Sequence, residues 1–131
     1  MNTPILDLVK TFYVRLAAGD LDGALNLLAS DVEWIAVEGF PTGGSYHSPQ
    51  SVRNGVFARL AADWTEFSVV PERFIPAEGT VVVVGRYMGM YQGSNRRLNA
   101  VFAHVWEGTD ERLAKFLQIS DTALVRDAMC P

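Results

Sequence analysis

The sequence predicts an α+β domain in which helices pack on one side of an antiparallel sheet. Three observations carry that prediction. Up to about Trp64 apolar residues recur mainly at helical spacing, interrupted by one short strand-like run around Trp34. From Glu66 onward the period changes to the two-residue alternation of half-buried strands. Turn formers then punctuate this second half at Glu78-Gly79, Gly93-Ser94-Asn95 and Gly108-Thr109-Asp110-Glu111, which makes the strands a four-stranded meander.

The elements follow in order. Thr3-Pro4 starts the first helix, with Thr as cap and Pro in the first turn; Ile5, Leu8, Val9, Phe12 and Leu16 form its apolar stripe, and Gly19 ends it. Asp20 caps a shorter helix whose buried side is Leu21, Ala24, Leu25 and Leu28. A strand is expected over Val32 to Val37, and a Gly- and Pro-rich loop over Glu38 to His47. Ser48-Pro49 opens a third helix, with Val52, Val56, Phe57 and Leu60 on one face, ending near Trp64. Phe67 to Ile75 is a strand interrupted by Pro71, which places it at a sheet edge or makes a bulge there. Thr80 to Tyr91 is the next strand.

The stretch Arg96 to Thr122 supplies the last two strands and most of the polar residues that are out of place on a core face. Phe102, His104 and Trp106 share one face of the first strand; Phe116, Gln118 and Ser120 alternate with Leu117, Ile119 and Asp121 on the second. Whether His104 meets Gln118 or Asp121 depends on an odd or even residue count in the connecting turn, and the sequence leaves both pairings open.

Composition narrows the function. At 131 residues and 49% hydrophobic, the chain fits one domain spanning 1–131, with a core large enough to carry a cavity. Eleven basic against fifteen acidic residues, and no basic cluster beyond Arg96-Arg97, argue against nucleic-acid binding. The single Cys130 forms no internal disulfide, and two distant histidines give no metal-ligand spacing, so no metal and no cofactor are expected. No apolar run is long enough to span a bilayer and no targeting segment is recognisable, so a cytoplasmic location without membrane contact is the expectation.

The candidate catalytic residues are His104, Asp121 and Gln118. A neutral imidazole between apolar strand neighbours needs a hydrogen-bond partner and titrates near neutrality, which suits a base or a donor. Asp121 would orient it or act as acid, or else cap the segment that begins at Thr122; Gln118 would orient a ligand carbonyl. Trp34, Phe57, Phe102, Trp106 and Phe116 together suit a flat apolar ligand, which Tyr13, Tyr46 and Arg86 would reach with polar tips, or else they stand at the rim and surface. Glu38 is read as a solvated loop carboxylate, and Met88 and Met90 as sheet packing or an interface.

The segments AAGDLDGALNLLASDVEW, GGSYHSPQSV and FAHVW…FLQISDTALV, in this order and spacing, resemble the SnoaL-like branch of the nuclear-transport-factor-2-like superfamily. The resemblance implies a cone: a curved, mixed or antiparallel sheet wrapped around three N-terminal helices. It also implies a homodimer through the outer face of the sheet, and polyketide-cyclase or isomerase chemistry among the known activities. By ungapped placement the related isomerases' tyrosine, base and protonated aspartate fall on Phe12, Ala36 and Ala103, so that set of groups is not retained. The cyclases' histidine falls on His104, but their acid falls on Gln118, which cannot shuttle a proton. Two functions follow. One is a cofactor-free enzyme moving a proton beside a small apolar carbonyl compound; the other is a non-catalytic binding domain for an apolar small molecule.

Overall fold

The computed structural model describes residues 4–131, so the expected Thr3 cap lies outside the described residues. Helix α1 (Pro4–Ala17) buries Ile5, Leu6, Val9, Phe12 and Tyr13. That stripe is wider than the expected one, because the sheet curls round the helix and covers both Phe12 and its neighbour Tyr13. Contacts run from α1 to all four strands of the meander. Asp20 caps α2 (Leu21–Leu25), its side chain accepting from Gly23 N. Leu28 is not on that helix but begins strand β1 (Leu28–Ala36), which starts earlier than expected.

The loop from Glu38 to His47 contains a short strand, β2 (Gly44–Tyr46), paired antiparallel with β1. Ser48 caps α3 (Pro49–Val52), which runs through a π-helical turn (Arg53–Phe57) into α4 (Ala58–Asp63). Such a turn inserts one residue and re-aims the side chains around it, and it often marks functional sites. A Cβ on Gly55 in this turn would stand 2.3 Å from the Tyr46 ring, so the close approach requires glycine.

Strands β3 (Trp64–Ala77), β4 (Thr80–Tyr91), β5 (Arg97–Gly108) and β6 (Leu113–Ser120) form the antiparallel meander. The six strands lie in the order β2-β1-β6-β5-β4-β3, with β1 parallel to β6, so the sheet is mixed and unclosed. Pro71 sits on the edge strand β3, beside a register shift between Pro71 and Arg73, where its missing N–H costs least. A final helix, α5 (Thr122–Met129), is an element the alternation did not announce; Asp121 caps it by accepting from Leu124 N at 3.1 Å. Among the described residues no helix is long and apolar enough to cross a membrane.

Candidate functional site

Strand register settles the open pairing: His104 lies opposite Gln118 and Trp106 opposite Phe116, so these four share the concave face. Asp121 falls on the other parity, its backbone N–H bonded to the Val101 carbonyl, and its carboxylate is engaged at the α5 cap. It is neither the orienter of His104 nor a group of the interior, because the register that brings in Gln118 turns it away.

His104 is the centre of a buried hydrogen-bonded cluster. Its Nδ1 lies 2.6 Å from the Tyr13 hydroxyl and its Nε2 lies 2.6 Å from the Tyr87 hydroxyl, while Trp106 Nε1–H donates to Tyr13 Oη at 2.9 Å. The Phe102 ring stacks on the imidazole at 3.9 Å between centroids. Burial holds the His104 pKa well below the usual imidazole value, so the ring is neutral. Burial likewise raises both tyrosine hydroxyls, against a smaller opposing effect of the Trp106 hydrogen bond on Tyr13 and of the Gln118 amide on Tyr87.

Counting protons shows what the cluster can offer. A neutral imidazole carries one N–H. With the indole and two phenols the cluster holds four polar hydrogens, of which its three hydrogen bonds use three. One hydroxyl proton is therefore left to donate elsewhere. When Tyr13 donates to Nδ1 and Nε2–H donates to Tyr87, that proton belongs to Tyr87.

Gln118 is tied by its oxygen. Val37 N–H is shared between the Gln118 carbonyl and its side-chain Oε1, each at 3.2 Å, which fixes the amide orientation. The Nε2 end lies near enough to Tyr87 to favour the ionised phenol, yet completes no hydrogen bond. Thr42 Oγ1 is the other buried side-chain polar atom without a partner among the described residues. Both residues line one chamber of about 30 Å3, walled by aromatic rings including Phe12, Trp34, Phe40, Phe57 and Phe116 and bearing no carboxylate, lysine or arginine. Two unpaired polar atoms facing such a wall are costly unless a guest satisfies them.

Of the aromatic residues singled out in the sequence, Trp34, Phe57, Phe116 and Tyr13 line this chamber. Tyr13 does so from inside rather than from the rim, being buried. Phe102 and Trp106 stand behind the wall, one stacked on His104 and the other bonded to Tyr13. Tyr46 is a strut: its hydroxyl donates to the Thr42 carbonyl at 2.8 Å, holding the loop that presents Thr42. Arg86 is exposed on the outer side and bonds Asn99. Sequence reasoning missed Tyr87, Phe40, Thr42 and Phe67. Tyr87 carried a usable signal, since in the alternation Arg86-Tyr87-Met88 only the tyrosine shares parity with the buried Val81 and Val83.

A curved sheet wrapped on N-terminal helices, with an interior chamber facing the meander, defines the nuclear-transport-factor-2-like fold. A sequence profile of the SnoaL-like domain matches residues 9–116, and the chain belongs to that family. It is 32% identical, over 100% of both chains with a TM-score of 0.95, to a nuclear-transport-factor-2-like protein of Burkholderia thailandensis. A like protein of unknown function from Burkholderia pseudomallei is 25% identical, with 99% of this chain and 100% of that one covered and a TM-score of 0.90. TerC, co-crystallised with polyporic acid, shares the fold at 22% identity and a TM-score of 0.86, over 97% of this chain and 98% of that one. No curated protein matches the chain.

Proposed function

We propose that this SnoaL-like domain binds a small, flat, largely apolar compound through a carbonyl oxygen, and does so without covalent chemistry. One observation carries the reading: the Gln118 amide is buried against the chamber with its Nε2 unpaired, beside Tyr87, which holds the spare hydroxyl proton when His104 carries its own on Nε2. Neutral donors converging in an apolar chamber match a neutral acceptor. A carboxylate ligand would find no cation there, and an ammonium would find no anion among the lining residues. The structure of TerC with polyporic acid supports a small-molecule ligand for this fold.

Proton transfer by His104 is less well supported. Both ring nitrogens are engaged, the pKa is depressed, and no carboxylate lines the chamber to assist. His104 is read instead as the group that orients Tyr87. Titration with prodan, a flat naphthyl ketone whose emission moves to the blue in apolar surroundings, tests the reading. Saturable blue-shifted binding is expected, weakened about tenfold in Tyr87→Phe by loss of one hydrogen bond. Absence of saturable binding overturns it. Mass spectrometry of small ketones incubated with the protein separates the two functions: a changed mass or a new isomer selects catalysis.

The same reading includes a homodimer through the outer face of the sheet. Val101, Leu117 and Ile119 support it, since each is a third or more exposed on that face.

A further inference from the structure

The interior chamber is small for its proposed ligand. Its volume of about 30 Å3 admits a guest of only a few heavy atoms, whereas ligand pockets run to roughly 300–1,000 Å3. Directly outside lies a cleft of about 610 Å3 between the end of α1, α4 and the start of β3. Leu16, Phe57, Leu60, Phe67 and Val69 line both spaces, so these five side chains are the wall between them.

That wall stands on two irregular pieces of backbone. Phe57 ends the π-helical turn, with Leu60 one helical turn further on in α4. Phe67 follows Glu66, which holds φ at +54° within a register shift between Thr65 and Ser68. A glutamate in the left-handed region is strained, and such strain gathers where a structure clamps or switches. Across the strand Gly89, at φ +159°, lets the Phe67 backbone approach; a Cβ there would stand 3.1 Å from Phe67 Cα. Apart from Gly19, Glu66 and Ser68 the cleft is lined by apolar residues, and Glu66 is its one charged lining residue among those described.

We infer that chamber and cleft are two halves of one binding site, and that Phe57, Leu60 and Phe67 are the door between them. The inference rests on the carbonyl-binding reading and adds the shape and charge of the ligand. The ligand is elongated: an acceptor-bearing end reaches Tyr87 and Gln118, and an apolar body lies in the cleft. Its outer end is neutral or cationic, because Glu66 disfavours an anion there. A compound short enough to stay inside the chamber would use the cleft only on its way in.

Stopped-flow fluorescence with prodan and equilibrium binding of acetone, the shortest ketone, test this on the full chain. Phe67→Ala should speed both association and dissociation of prodan about tenfold, since the door no longer has to move. Ala61→Trp fills the cleft from an exposed helix position. It should weaken prodan about tenfold while leaving equilibrium binding of acetone within about twofold. An unchanged prodan association rate in Phe67→Ala, or equal weakening of both ketones by Ala61→Trp, overturns the bipartite site while leaving carbonyl binding intact. Should neither ketone bind any variant, the carbonyl reading fails, and the door is then read without it. Crystals of Phe67→Ala under xenon should show one continuous cavity, and two separated cavities would overturn the door as well.

Discussion

The two faces of strands β5 and β6 each depart in places from the usual pattern of a sheet. The concave face is buried yet carries His104 and Gln118, with Tyr87 joining from β4. The convex face is open yet carries Val101, Leu117 and Ile119, at 44%, 37% and 45% exposure. Ordinary antiparallel sheets put the apolar side in and the polar side out. Each departure has a cost in the isolated chain, and each cost would fall on binding, of a polar guest within or of an apolar partner without. The inner departure is nearly closed on itself, since the tyrosines and the indole complete one another's hydrogen bonds. The outer one has no such internal remedy.

Breaking the inner face should have the largest effect. Substituting His104→Leu removes the acceptor and donor that serve Tyr13 and Tyr87, leaving two buried hydroxyls short of partners. A loss of about 2–4 kcal/mol is expected from urea unfolding, because stranded buried polar groups cost more than their bonds contributed. The Tyr13→Phe/His104→Leu pair should lose less than the sum of its single changes, since the first removal leaves the second with less to break. Additive losses would show that the cluster does not act as a unit.

Acidification sharpens the same comparison, with an effect confined to the inner face. The folded-state pKa of His104 is depressed below its unfolded value of about 6.5, so the unfolded chain takes up the proton first. The stability this provides is fully present above about pH 6.5 and is lost as pH falls from there toward the folded pKa, by up to about 1.4 kcal/mol per pH unit. Carboxylates add their own acid dependence, so the quantity to measure is the difference between wild type and His104→Gln from pH 7 to 5. Parallel curves would mean that the imidazole is not shut away from water.

How much of this was legible depended on whether a local pattern or a long-range register decided it. Strand alternation, the turn at Glu78-Gly79 and the edge placement forced by Pro71 are local, and they read correctly. The pairing of His104 with Gln118 was not readable, because it hangs on an irregularity between Glu107 and Gly108 at the turn. Tyr13 stands next to Phe12, which faces the core, and the rule for a helix is that adjacent residues diverge by about 100°. That rule is true of the helix, but a sheet that curls far enough round α1 buries both directions at once. Tyr87 sits seventeen residues before His104 and meets it only through the β4–β5 register, in which Tyr87 pairs with Ala100 and Val83 with His104. The π-helical turn left no signal, because its extra residue leaves Val52, Val56 and Leu60 still reading as an ordinary stripe. Family resemblance did reach the cone, since curvature is a property of the whole chain order.

The smallest change to the fold is expected on the convex face. Ile119 lies opposite Ala103 in the register and next to the Leu117–Val105 pair, so it is central to the open apolar surface. Replacing it by threonine keeps β-branching and strand preference while wetting the patch. Unfolding measured at concentrations where the protein is monomeric should shift by less than about 0.5 kcal/mol, because a half-exposed methyl group has little burial to lose. Self-association measured by sedimentation equilibrium should weaken by tenfold or more if two convex faces meet, since symmetry makes each substitution count twice in the interface. An Ile119→Thr variant that self-associates as wild type does would remove the outer face as the dimer surface, and with it the reason for its departure from the usual pattern. The inner face would be untouched by that result: its polar groups are answered from within the cone, and the convex methyl groups lie on the far side of the same strands.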